Sequence, residues 1–127
     1  MIIGIGVDLV DMARFERSVA RTPRLLERLF TPSERGMPLR SLAARYAAKE
    51  ALIKALGGSD GLHWNEIDVT KNAAGAPRFE LSGSTAEVVA SRGIRTVHLS
   101  MSHDAGAAIA QVVAEGAGEG TGEESDA

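Results

Sequence analysis

At 127 residues the chain is short enough for one domain and long enough for a modest core. It has no cysteine, which excludes disulfides and thiolate metal sites, and its 4% aromatic content leaves the core to Leu, Ile, Val and Ala. The net charge of −3 misleads, because five acids and no base follow residue 114, whereas residues 1–114 carry +2.

The chain opens on Met1–Asp11, where Ile2, Ile3, Ile5 and Val7 are β-branched and predict a buried strand. Asp8 interrupts that strand near its end. A buried carboxylate must be paired, hydrogen-bonded or metal-bound. Asp8 either caps the next helix or holds a metal, and Asp11 already suits the cap because Met12–Phe15 begin a helix directly after it. Gly4 and Gly6 lack the third glycine of a dinucleotide fingerprint.

The first helix should run to about Ala20, and Pro23 can open a second that reaches Phe30, the two forming separate helices or one bent one. Arg14, Arg17, Arg21, Arg24 and Arg28 recur at spacings of three and four. On a continuous helix they fall within roughly 80° of arc, which describes either a solvated polar face or a docking strip for an acidic partner.

Thr31-Pro32-Ser33-Glu34 reads as a capping box, with Gly36 and Pro38 ending the turn it opens. Ser41 can cap a long helix that Gly57-Gly58 stops. That helix carries Arg45-Tyr46-Ala47-Ala48-Lys49-Glu50-Ala51-Leu52-Ile53-Lys54. Tyr46, Glu50 and Lys54 lie one turn apart on one face. A carboxylate beside an ammonium suits a metal-diphosphate site, and equally describes an ordinary helix salt bridge.

Ile67–Lys71 and Pro77–Leu81 read as a hairpin across Asn72–Ala76. Ser84-Thr85-Ala86-Glu87 is a second capping box, for a helix that Gly93 stops. Arg95–Ser102 alternates as a strand with Val97, Leu99 and Met101 on one face, and Ala107–Ala114 returns after the turn Asp104–Gly106. His103, beside that turn, either donates to a ligand phosphate or bonds the turn. The run Ser100–Asp104 lacks the flanks of a hydrolase triad, and His63 and His98 have no partner at metal-ligand spacing. Helices early and hairpins late predict an α+β domain over residues 1–114 with a small antiparallel sheet. Residues 115–127, rich in Gly and Glu, should be a disordered acidic tail. With no spanning run and no basic leader, a soluble cytoplasmic protein without membrane or nucleic-acid partners is expected.

Taken together, these motifs resemble the holo-[acyl-carrier-protein] synthase family of phosphopantetheinyl transferases. Gly4–Leu9 resembles its opening strand, Phe30–Glu34 its F-T-x-x-E and Arg45–Lys54 its aromatic-x-x-K-E-x-x-x-K signature. Gly75-Ala76-Pro77 is similar to its G-x-P turn and Ser100–His103 to its S-x-S-H strand. The resemblance implies transfer of the 4′-phosphopantetheine arm of coenzyme A to a serine of apo acyl carrier protein. It implies Mg²⁺ held by Asp8 and Glu50, with Lys54 on the same phosphates. It implies coenzyme A phosphates on Arg45, Lys49 and His103, and carrier docking on Arg14, Arg17, Arg21, Arg24 and Arg28. It further implies a homotrimer with sites between subunits. The chain departs from the family in a short Glu34–Leu42 stretch, in Tyr46 where Phe or Trp is commoner, and in its acidic tail. The rivals are a non-catalytic coenzyme A-binding module and a transferase serving polyketide, peptide or type I fatty acid synthase carriers.

Overall fold

The computed structural model describes residues 1–118. Its elements in order are β1 (Ile2–Asp11), α1 (Met12–Arg21), α2 (Leu25–Leu29), α3 (Leu39–Ala55), β2 (Ile67–Lys71), β3 (Pro77–Leu81), α4 (Gly83–Ser91), β4 (Ile94–Asp104) and β5 (Ala107–Gly116), with a 3₁₀ turn at Trp64–Glu66. β5 is the centre of an antiparallel sheet ordered β1-β5-β4, and β2-β3 form a separate hairpin. The expected α+β class holds, with α3 lying across β1 and β5.

β1 departs from the expected buried strand. Its period of two sends Gly4, Gly6, Asp8 and Val10 toward α3 and Ile3, Ile5, Val7 and Leu9 outward. Ile5, Val7 and Leu9 are 57%, 51% and 68% exposed. The glycines explain the reversal. A Cβ on Gly4 would stand 1.9 Å from the Ala55 carbonyl oxygen, and one on Gly6 equally close to that of Ala51. Only a strand without side chains at these positions lets the helix settle on it. α3 answers with a small surface: Ala47, Ala48 and Ala51 are fully buried. Phe30, Leu42, Leu52, Ile67 and Val112 fill the remaining core, each adding about 1.5–3 kcal/mol by burial.

Local signals were realised unevenly. Asp11 caps α1, its Oδ1 accepting from the Arg14 amide at 2.9 Å. Thr22, at ψ 81°, separates α1 from α2, so the two are distinct short helices. At Thr31 only half of a capping box forms, the Thr31 amide donating to Glu34 Oε1 at 3.0 Å, and the segment is a turn rather than a helix. α3 begins at Leu39, directly after the extended Pro38, so Ser41 lies inside it. α4 begins before Ser84, and its first-turn donors go to Glu66 instead of Glu87. Glu66 Oε1 accepts from the Thr85 amide at 2.8 Å, from its hydroxyl at 2.7 Å and from Ser84 Oγ at 3.1 Å. β5 continues through Glu115 and Gly116, past the expected domain limit, while the expected tail beyond residue 118 lies outside the described residues.

Two outcomes follow. Gly6→Ala should lower stability by about 2 kcal/mol or more through overpacking against the α3 backbone, read by denaturant unfolding. The Thr85 and Ser84 bonds pull Glu66 from 4.5 to about 2. A depressed carboxylate stabilises the fold above its unfolded value and loses that contribution as pH falls through its folded value. Glu66→Gln should therefore weaken the fold at pH 7, and the gap to wild type should close between pH 4.5 and about 2 in urea melts.

Candidate functional site

β1 and α3 meet at Asp8. Because Gly4 and Gly6 bring the strand onto the helix, the next residue on the same face reaches the last turns of α3. Lys54 Nζ donates to Asp8 Oδ1 at 3.0 Å and to the Val7 carbonyl at 3.1 Å. The Asp8 side chain is 15% exposed and that of Lys54 is 53% exposed, so the ammonium is half free to take another anion. Glu50, one turn before Lys54, lines the same open cleft of about 530 Å³ with Asp8, Tyr46, Asp11 and Arg14. Leu25, Leu29 and Phe15 form its apolar side.

Tyr46 anchors the cleft floor. Its ring stacks on Trp64 at 5.7 Å and 17° and packs on Phe15 at 5.6 Å and 33°. Burial, then the charge and hydrogen bonding of Glu50, push the Tyr46 phenol up to about 12. Its hydroxyl therefore stays protonated beside Glu50, where it can orient one carboxylate oxygen.

A second, basic cavity of about 370 Å³ lies elsewhere, lined by Arg40, Ser41, Arg45, Lys71, Ser102 and His103. Arg45 is 7% exposed. Its Nη1 donates to the Ser41 carbonyl at 3.4 Å, while its buried Nε finds no acceptor among the described residues. A buried unmatched donor among cations suits an anion. Arg45 and Glu50, five residues apart, point about 140° away from each other around α3. One chain thus carries a carboxylate cluster and a basic cavity in different directions.

Lys49 belongs to neither. Its ammonium, fully buried, donates to Glu34 Oε1 at 2.7 Å and to the Leu29 carbonyl at 2.8 Å. Burial pulls its pKa down against the opposing pull of Glu34. It has no path to a phosphate, which corrects the expectation drawn from the signature. All five arginines, Arg14, Arg17, Arg21, Arg24 and Arg28, are exposed. The first three ride on α1, Arg24 precedes α2 and Arg28 lies on it, so the strip is divided rather than continuous. His98 pairs with Glu115 at 2.8 Å, and the His63 amide donates to Thr85 Oγ1. Arg40 and Lys71 carried no spacing signal, since their meeting with Arg45 and His103 depends on the tertiary fold.

The chain belongs to the 4′-phosphopantetheinyl transferase superfamily, whose family profile matches residues 4–110. Within it, the relatives are holo-[acyl-carrier-protein] synthases. The protein so named from Clavibacter sepedonicus is 61% identical over 93% of this chain and 99% of its own length. That from Leifsonia xyli is 57% identical over 91% and 98%. The crystal structure of the Neisseria meningitidis synthase superposes with a TM-score of 0.85 at 35% identity, covering 91% of this chain and 99% of that one. The Helicobacter pylori synthase in complex with coenzyme A gives 0.76 at 38% identity, covering 87% and 99%.

The single tyrosine makes the Tyr46 environment directly readable. Phenolate absorbance should rise only near pH 12, about two pH units above an unperturbed tyrosine. Glu50→Gln, which removes the adjacent charge, should move that rise toward lower pH.

Proposed function

We propose that this protein transfers the 4′-phosphopantetheine arm of coenzyme A to a serine of apo acyl carrier protein, releasing adenosine 3′,5′-bisphosphate. The observation that carries this reading is the contact between Asp8 and Lys54 across β1 and α3, with Glu50 one turn away. Family membership and the named relatives support the same reaction.

The donor set fits Mg²⁺. Asp8 and Glu50 supply hard carboxylate oxygens at an open cleft, and no group of three or more metal-binding side chains gathers among the described residues. Mg²⁺ is commonly held by one or two carboxylates, with water and substrate phosphate completing its shell. Bound there, it would neutralise charge developing on the pyrophosphate. Lys54, already half exposed, turns from Asp8 to the same oxygens. The carrier serine oxygen forms a bond to the phosphorus attached to pantetheine. The bond from that phosphorus to the bridging oxygen breaks, and the bisphosphate leaves with the electron pair. The serine proton goes to Glu50 or to water beside it.

Arg45 and His103, with Arg40 and Lys71, suit the remaining phosphate of coenzyme A. Because they diverge from the carboxylates on one chain, a complete site takes a second copy. The apolar outer face of β1 and β5, where Ile5, Leu9 and Ile109 are exposed, supports such an assembly, and a homotrimer is the form consistent with the resemblance. The arginines of α1 and α2 border the cleft through Arg14 and suit an acidic carrier.

Mass spectrometry of apo acyl carrier protein incubated with coenzyme A, Mg²⁺ and this protein tests the reading. One phosphopantetheine should be gained per carrier, and EDTA should abolish the gain. Asp8→Asn and Glu50→Gln should each lower kcat/KM by about 100-fold or more. No modified carrier with wild type would overturn the assignment. Arg17→Glu with Arg21→Glu should raise the carrier KM about 10-fold at low salt with kcat within about twofold, and the effect should fade as salt screens it.

A further inference from the structure

α3 presents Glu50 and Lys54, yet the surface it buries is smooth. Apart from Leu42 and Leu52, its buried apolar residues are all alanines. The Gly4 and Gly6 contacts set how closely the helix lies on β1, but the apolar burial itself is non-directional, so hydrogen-bonded ties add to what fixes its rotation. Rotation matters here: about 10° of turn moves a carboxylate some 6 Å from the axis by about 1 Å, and a misplacement of that size can cost about 100-fold in rate.

Lys49 supplies a directional tie. Its ammonium meets Glu34 Oε1, the Leu29 carbonyl at 2.8 Å and the Trp64 carbonyl at 3.5 Å, and lies 5.1 Å from the Phe30 ring centroid. Glu34 is itself fixed: its Oε1 accepts from the Thr31 amide and its Oε2 from the Val69 amide, both at 3.0 Å. The turn after α2, the 3₁₀ turn and β2 are thereby bonded to one position of α3. The side-chain tie from α3 to β1, through Lys54, is half exposed and must be released to a substrate. A buried ion pair adds little stability over apolar residues of the same shape, so its consequence here is directional.

We propose that Lys49, held by Glu34, is a positioning residue that fixes the rotation of α3 and thereby aims the neighbouring Glu50 at Asp8. This rests on the transferase reading above. The role is distinct from phosphate binding, since the ammonium is sealed in the core.

The test uses the full chain, wild type beside Glu34→Gln and the double variant Lys49→Met with Glu34→Gln, which strands no charge. Circular dichroism and thermal melts establish folding. Mn²⁺ affinity is read from free Mn²⁺ by electron paramagnetic resonance, with adenosine 3′,5′-bisphosphate saturating, and transfer kinetics are read separately. The folded double variant should bind Mn²⁺ about 10-fold or more weaker and lose about 10- to 100-fold in kcat, with the coenzyme A KM within about threefold. Glu34→Gln should fall between it and wild type. Mn²⁺ affinity and kcat within twofold of wild type in either folded variant would overturn the positioning role. If the double variant does not fold, Glu34→Gln, which keeps an oxygen facing Lys49, decides alone. A wild type that neither transfers nor binds Mn²⁺ overturns the transferase reading instead, and the positioning role with it.

Discussion

The close approach of β1 to α3 is the constraint on which the rest depends. Two glycines let a strand backbone touch helix carbonyls where any side chain would collide. That contact needs an alanine-lined helix, and α3 provides one. It also sets the register of the strand's following residue, so Asp8 arrives at Lys54 as a consequence of packing rather than of loop conformation. Sites carried on regular elements are held more tightly than sites on loops. Here both carboxylates sit on such elements.

The same alternation has a second effect. If the glycine face of β1 turns inward, Ile3, Ile5, Val7 and Leu9 must turn outward. The strand therefore exposes an apolar surface that a lone chain leaves in water. Assembly of copies would cover it. It would also answer the geometric problem on α3, whose carboxylates and whose Arg45 leave the helix in different directions. One arrangement of copies would serve burial and chemistry together.

Much of this was legible in the sequence. Element types followed from periodicity, and the Asp11 cap and the Gly93 stop fell where local chemistry put them. Asp8 and the Glu50–Lys54 face each stood out through a local signal, an interrupting carboxylate and a helical spacing, whereas their pairing came only from the family resemblance. What was not legible depends on partners distant in the chain. Glu34 reads as a capping residue, and it does bond the Thr31 amide, but Lys49 and the Val69 amide draw it into the core. Glu66 caps α4 from outside that helix, so the Glu87 signal had no donor left to satisfy. The expected burial of β1 did not hold, because β-branched residues predict a strand without saying which face is covered. Gly4 and Gly6 carried that information, but only in combination with the alanines of α3. The basic cavity was half legible: Arg45 and His103 stood out in their motifs, whereas Arg40 and Lys71 did not.

The proposed division of the site between copies is the part of the account most open to direct contradiction. Co-expression of Glu50→Gln with an Arg45→Gln, His103→Ala variant, under separate affinity tags, gives mixed assemblies to isolate. Each variant alone lacks one half of the site. If the carboxylates of one subunit work with the basic cavity of its neighbour, the mixed assembly should transfer phosphopantetheine well above the summed activity of the two parents. Activity no greater than that sum, in an assembly shown to contain both chains, would mean that each subunit's site is its own.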